Sequence, residues 1–434
     1  MKIQRRLAAN PTTFSATSLL PHAVALFGIA LILLATSTLP AAALQEGTPP
    51  LRVETGPNIR VSDKAVPHIE PYIAAHPENP QNLVISASQS IPRKGIIAKS
   101  YFTSDGGKTW SSALLPKMQE ESLGNELEFA LDNWVAYAPD GLAYYSTLAR
   151  MKLQDQWRMP ILVYRSADQG KTWQGPTLIP SNSIDRPAMV ATGTKDETRL
   201  YIAAFADGKD TFVVDKAIEA SGIVVFESND RGASFKPAAF IAHDNLGHNA
   251  RNPLVLSDGS LLVPYIDFPA GPEHRVTTSR IYTVRSQGGS QSFGLPQVVT
   301  DLPLPNPSTA HFAVDLSGGK FHGRVYAVWN AGDDKQRHVA VAYSANNGKS
   351  WSKDAMLRAQ GGGPSMFGAV AVARDGTVGV VWIQDEKDEA KPDCYRLYFA
   401  ASVDGGATFS PPTLVSDAIS CPDSPENKEA RCPV

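Results

Sequence analysis

Nine side chains, scattered over some 240 positions, have types that could together handle a charged sugar. Glu70, Asp132 and Asp185 are acids, each within a run that reads as the opening of a β-strand. Arg186 and Arg251 stand at similar openings, as does His311, while Arg93, Trp157 and Arg275 fall in longer connecting stretches. Glycoside hydrolysis needs two carboxyl groups. One keeps its proton for the leaving oxygen, and the other stabilises or attacks the anomeric centre. Arginines suit an anionic sugar because they donate charge-assisted, often bidentate hydrogen bonds. Asp132 and Asp185 are the preferred acids, with Glu70 as the second acid. Each has a bland alternative: a cap or cross-blade ion pair for the aspartates, and for Glu70 a bridge to Arg186 or to a backbone amide. His311 precedes an apolar FAVDL strand, so the alternative to a ligand contact is a satisfied core histidine. Trp157, like Trp134, could stack on a sugar ring, although Trp134 also suits packing between strands.

Residues so far apart need a repetitive scaffold to meet. One phrase supplies it: TSDGGKTW from Thr103, SADQGKTW from Ser166, SNDRGASF from Ser228, a worn SQGGSQSF from Ser286, SANNGKSW from Ser344 and SVDGGATF from Ser402. The starts are 63, 62, 58, 58 and 58 residues apart. A period of this length marks repeated supersecondary units. In each full copy the Ser/Thr and the Asp or Asn can bond local amides, and a Gly can close a tight turn in the left-handed region. A β-rich run precedes every copy (IIAKSYFT, PILVYRS, GIVVFES, RIYTVRS, HVAVAYS, RLYFAAS), and DG or GG dipeptides mark further hairpins. Six units of about 65 residues predict an all-β, six-bladed β-propeller with four-stranded antiparallel blades. The stretch 51–63 would help close the ring against the last blade. The strand-one entrances and the loops between second and third strands then share one face, opposite the recurring turns, and that face gathers the candidates above.

The 434 residues are 19% charged and 43% apolar, with a net charge of −3, which gives no support to nucleic-acid binding. Lys2, Arg5 and Arg6 precede an apolar stretch at 23–34 and Ala41-Ala42-Ala43, the pattern of an export signal over 1–43; an uncleaved anchor is the rival reading. The propeller would occupy 44–418, and a polar Cys-bearing tail 419–434. No second membrane-length segment follows, so the expected location is periplasmic or extracellular, without membrane attachment once the signal is removed. Of three cysteines, Cys421 could pair with Cys432 or with Cys394. Phosphate-loop, dinucleotide, HExxH and GxSxG motifs are missing. The acidic runs DDK at 333–335 and DEKDE at 385–389 read as solvated surface, and their oxygen ligands would suit a structural calcium, without an EF-hand spacing.

The recurring phrases resemble the Asp-box (bacterial neuraminidase) repeat of the sialidase superfamily, in which they are structural turns remote from the active site. The resemblance covers nearly all of the exported region. It implies a secreted propeller that needs no organic cofactor and a glycan or glycoprotein partner. In true sialidases it implies an arginine triad, an aspartic general acid and a tyrosine nucleophile assisted by glutamate. The chain departs from that pattern twice. Its first blade opens PHIEPYIAAHP, without the Arg-Ile-Pro motif, and its last opens GGGPSMFG, with Ser365, Met366 and Phe367 where the tyrosine belongs. Two functions therefore stand side by side: a sialidase-like exo-glycoside hydrolase for an acidic or decorated glycan, and a non-catalytic glycan- or protein-binding propeller. Convergence of the acids and arginines in an open funnel favours the first. Acids already paired, or a plug by Met366 and Phe367, favour the second.

Overall fold

Runs rich in β-branched and aromatic residues between Gly/Asp turns pair antiparallel, each with its neighbour in sequence. The structure, a computed structural model, describes residues 51–63, 66–208, 210, 221–244, 247–268, 279–300, 309–333, 336–386 and 394–421. The signal 1–43, Arg275 and Cys432 lie outside these. β1 (His68–Ala75), β2 (Leu83–Ile91), β3 (Gly95–Thr103) and β4 (Ser111–Ala113) form the first ladder. The second is built from β5 (Leu127–Tyr137), β6 (Ala143–Leu153), β8 (Ile161–Ser166) and β9 (Gln174–Ile179), with β7 (Gln156–Arg158) folded back on β6 as a hairpin. A parallel pair, Ile96 with Phe129, joins these two ladders into one nine-stranded sheet.

Next come the four strands β10 (Ile184–Gly193), β11 (Thr198–Ala206), β12 (Ser221–Ser228) and β13 (Lys236–Asp244). A five-stranded sheet follows, with β14 (Gly247–Ala250), β15 (Leu254–Val255), β16 (Leu261–Phe268), β17 (Arg280–Arg285) and β18 (Gln297–Thr300). Its fifth strand arises because Asn252-Pro253 interrupts the ladder, so β14 and β15 pair separately with β16. Two further four-stranded sheets complete the chain: β19 (Ala310–Val314), β20 (Val325–Ala331), β21 (His338–Ser344), β22 (Ala355–Leu357), and β23 (Ser365–Val372), β24 (Val378–Asp385), β25 (Tyr395–Ser402), β26 (Thr413–Leu414). Apart from a 3-10 turn at Glu120–Ser122, the described elements are all strands.

Middle strands are apolar throughout because both of their faces are covered; all seven residues of β20 are buried. Each apolar cluster spans two successive ladders, as where Leu148 and Ile161 meet Ile184 and Leu200, or Tyr326 and Val328 meet Val370 and Trp382. The first strands also touch in series: β1 on β5, β5 on β10, β10 on β14, β15 on β19 and β19 on β23.

The recurring turn has the same bonding in five copies. In the second, Ser166 Oγ accepts the Gly170 N–H at 2.8 Å, and Asp168 Oδ1 accepts the Thr172 N–H at 2.8 Å. Gly170 has φ +88°, and a Cβ there would lie 2.8 Å from Val84 Cγ2 in the preceding ladder. The worn copy differs: Ser286 Oγ accepts the Leu261 N–H instead, and a cavity of about 680 Å³ opens beside it, lined by Asp258, Arg285 and Lys349 among others.

The stretch 51–63 joins the two ends of the chain. Asn58 exchanges backbone and side-chain hydrogen bonds with Asp417 and donates to the Val415 carbonyl at 2.9 Å. Five residues on, Asp63 accepts from Lys99 Nζ at 2.6 Å and from Ser112 Oγ at 2.9 Å in the first ladder. Cys394 and Cys421 form a disulfide, and Ser420 pairs with Tyr395, so the start of the tail is fixed to β25.

Candidate functional site

Four first strands contain an extra residue at corresponding places. The register shifts between Ile69 and Tyr72, Leu131 and Trp134, Asp185 and Ala188, and Met366 and Ala369. The first inserted residue is left-handed in every case: Glu70 (φ 53°), Asp132 (51°), Arg186 (50°) and Phe367 (55°). None is glycine, and Glu70, Arg186 and Phe367 each cost about 1–2 kcal/mol of backbone strain, the aspartate less. A bulge of this kind re-aims one side chain out of the strand's alternation. Between β14 and β15 the chain also leaves the ladder, and Arg251 keeps contact through its N–H to the Pro264 carbonyl at 2.9 Å. β19 keeps its register through His311, which faces Val328.

The bulges interlock. Glu70 Oε2 accepts the Asp132 N–H at 2.7 Å, and the Asp132 carboxylate accepts the Arg186 N–H. Arg186 Nε stands 3.8 Å from its neighbour Asp185, with both side chains about half exposed. One step deeper, the Tyr72 ring lies on Trp134 at 3.8 Å between centroids, and Trp134 reaches His311 at 6.3 Å with an interplanar angle of 22°. Residues from the first, second and fifth ladders thus form an aromatic floor beneath the acids. His311 Nδ1 accepts the Val370 N–H at 3.3 Å, which leaves the neutral ring's proton on Nε2.

Burial, followed by the negative charges of Glu70 and Asp185, raises Asp132 from 3.8 to about 7, against the pull of Arg186. Burial and then the like charge of Arg186 lower Arg251 to about 10, which leaves it protonated at neutral pH. His311 falls to about 4 through burial and stays uncharged. Burial raises the Tyr72 phenol despite the nearby Arg251. The arrangement holds one carboxyl of raised proton affinity, two further acids and two guanidinium groups over a neutral aromatic base.

Glu70, Asp132, Asp185, Arg186, Arg251 and His311 therefore come together, although His311 is a bonded part of the floor. Arg93 does not join them. The 2–3 connection expected to be a long loop is a tight turn, in which Lys94 N–H meets the Ile91 carbonyl and Arg93 takes the left-handed position (φ 63°). Among the described residues, the Arg93 side chain makes no hydrogen bond or ion pair. Trp157 lies on β7, away from the floor, 37% exposed beside Arg150 and Lys152. Trp134 packs in the floor. Tyr72 and the bulges escaped sequence reasoning, yet a signal existed. Glu70-Pro71, Arg186-Pro187 and Asn252-Pro253 place proline inside first strands, where it is tolerated chiefly at bulges and edges.

No family model matches the chain, and no curated protein matches it. Solved structures do. The NanB sialidase from Streptococcus pneumoniae superposes with a TM-score of 0.54 at 11% identity, over 78% of this chain and 68% of that one. The Hadza microbial sialidase Hz136 gives 0.50 at 14% identity, over 73% and 63%. A protein of unknown function from Dyadobacter fermentans DSM 18053 gives 0.49 at 15% identity, over 73% and 90%. The fold is a β-propeller. The chain spans under two thirds of the Hadza structure, and at such identities the likeness extends to architecture alone. In a β-propeller the serially touching first strands line the axis, so the bulges face the central channel and the recurring turns sit at the far rim.

Proposed function

We propose that the protein is a six-bladed Asp-box propeller acting as a sialidase-like exo-glycoside hydrolase on an acidic or decorated glycan. Ladders one and two count as separate blades, since a lone parallel pair joins them. The observation that supports hydrolysis is the Asp132 carboxyl, raised to about 7 between two other acids and two arginines. Asp132 would donate its proton to the leaving oxygen. Glu70 or Asp185 would supply the second carboxylate, and Arg186 with Arg251 would hold the anionic group of the sugar. Tyr72 contributes a protonated phenol at the base of the site. Export to the periplasm or beyond completes the reading.

The test is hydrolysis of a panel of sialosides and acidic oligosaccharides by the exported form, with Asp132→Asn and Asp185→Asn controls. Turnover that Asp132→Asn lowers by about 10²–10⁴ supports the reading. Turnover insensitive to both variants, or none across the panel, refutes it. A second reading, a non-catalytic glycan-binding propeller, draws on a specific observation: Glu70 and Asp132 already cap the N–H of the next bulge. In that case the same panel is bound and left intact.

A further inference from the structure

We infer that the β6–β7 hairpin forms a distal subsite for an acidic oligosaccharide chain, so that the site takes an extended anionic glycan rather than a lone terminal sugar. The acidic-glycan class rests on the proposed function; the subsite itself rests on the hairpin.

The register fixes its position. Thr147 on β6 is level with the Asp132 bulge, and Lys152, paired with Trp157, stands five residues further toward the open face. At about 3.3 Å per residue the platform lies about 16 Å from the acid, beyond a single sugar ring seated there. Alternation fixes its direction. Ala149, Met151 and Leu153 pack toward the first blade, whereas Leu148 belongs to the cluster shared with the third blade. Arg150 and Lys152 share the side of Leu148, so with Trp157 they overlook the Asp185-Arg186 entrance.

Its chemistry is that of an anionic sugar's partner. Between Arg150 and Arg158 the hairpin carries Arg150, Lys152 and Arg158 against Asp155 alone, three minus one or +2, in a chain whose net charge is −3. Lys152 Nζ lies 5.3 Å and the Arg150 guanidinium 6.0 Å from the Trp157 ring. Glu128 partly offsets Arg150 at 2.6 Å, while Lys152 has no carboxylate partner among the described residues. An exposed tryptophan flanked by cations can stack on a pyranose ring while pairing its carboxylates. The hairpin is also held in place. Arg158 Nη1 donates to Asn182 Oδ1 at 2.9 Å, and Asp210 accepts the N–H groups of Asn182 and Ser183 at 2.9 Å each.

The experiment measures binding by calorimetry at low and moderate salt in the Asp132→Asn background, which keeps the ligands intact, using α2,8-linked oligosialic acids of two and six residues and neutral maltohexaose. The acidic hexamer should bind at least about tenfold tighter than the dimer, equivalent to about 1.4 kcal/mol. Trp157→Ala and Lys152→Ala should each remove most of that gain, leave the dimer's affinity in place, and leave thermal unfolding unchanged. Equal affinity for dimer and hexamer, equal binding of the neutral chain, or variants that weaken dimer and hexamer alike would overturn the inference. A hexamer preference that depends on Trp157, with a wild type that cleaves nothing, would keep the subsite and remove the hydrolase.

Discussion

Replacing Asp132 by asparagine removes one titration from the centre of the ring while leaving a side-chain oxygen to accept the Arg186 N–H. Asp132 is raised from 3.8 to about 7. At about 1.4 kcal/mol per pH unit, the folded protein holds this proton by at most about 4 kcal/mol more than the unfolded chain does, a figure that water at the channel mouth reduces. The folded state binds more protons between those two values, so the contribution is fully present below pH 4 and lost as pH rises through 7. Thermal unfolding of wild type and Asp132→Asn from pH 4.5 to 8.5 isolates it, because the other groups titrate in both. The variant should gain stability relative to wild type across pH 4.5 to 7, with a gap of several degrees that then levels off. A gap independent of pH would refute both the raised value and the choice of Asp132 as proton donor. The same group should govern catalysis: kcat/KM of the wild type should fall as pH rises past about 7, as the free enzyme loses its acid.

Three other perturbations test the scaffold. Asp63→Ala should cost about 1–2 kcal/mol, because it strips charge-assisted hydrogen bonds from Lys99, which is 7% exposed; denaturant titration measures it. Burial works against the Asp63 charge, but Lys99 and Ser112 together hold its pKa down to about 2, so the wild type should lose this margin as pH falls below about 4, and Asp63→Ala should not. Gly170→Ala should lose about 1–2 kcal/mol from its left-handed backbone alone, with more from the contact with Val84, whereas Gly259→Ala, with open space around it, should lose only the backbone part. Cys394→Ser should lower stability by about 2–4 kcal/mol through release of the loop closed to Cys421, read as a fall in melting temperature that reduction of the wild type reproduces.

The recurring turns were legible because their bonding is local. Ser166, Asp168 and Gly170 lie within five residues, and each does what its chemistry favours in any turn. Strands were legible for a similar reason, since runs such as VYAVWNA have only one use in an all-β chain. The candidate face was partly legible too: placing Glu70, Asp132, Asp185, Arg186 and Arg251 at strand entrances was enough to bring them together. What the sequence withheld depends on register. A single inserted residue decides whether Asp132 or its neighbour Asn133 faces the axis, and pattern-matching cannot count pairing partners it has not seen. Asn133 instead turns inward, where its amide meets Ser88 Oγ and the Tyr145 hydroxyl. Tyr72 was missed on the same ground. Its role follows from Trp134 and His311, which come from two other blades, and from no motif of its own.

The bulges explain why strain, charge and proton affinity coincide at one end of the channel. A first strand with unbroken alternation would turn its side chains by turns toward the two neighbouring blades, and the floor of Tyr72, Trp134 and His311 shows what such positions become when apolar packing wins. In the first three ladders one left-handed residue above that floor lifts a polar side chain out of the packing and leaves its own N–H needing an acceptor; in the last ladder the residue is Phe367, whose N–H goes to Asn330 Oδ1 at 3.0 Å. The preceding blade supplies the acceptor: Glu70 for Asp132, and Asp132 for Arg186. The cap and the charge effect then act through the same atoms. Glu70 is held against the Asp132 backbone, and its negative charge at that short range disfavours a second charge on the Asp132 carboxyl. Removing Glu70 would therefore orphan an N–H and also lower the proton affinity of Asp132, so the two carboxyls behave as one unit. Asp132 is capped by Glu70 and itself caps Arg186, so capping alone does not single out the acid that holds its proton; burial, then the charges of Glu70 and Asp185, raise Asp132.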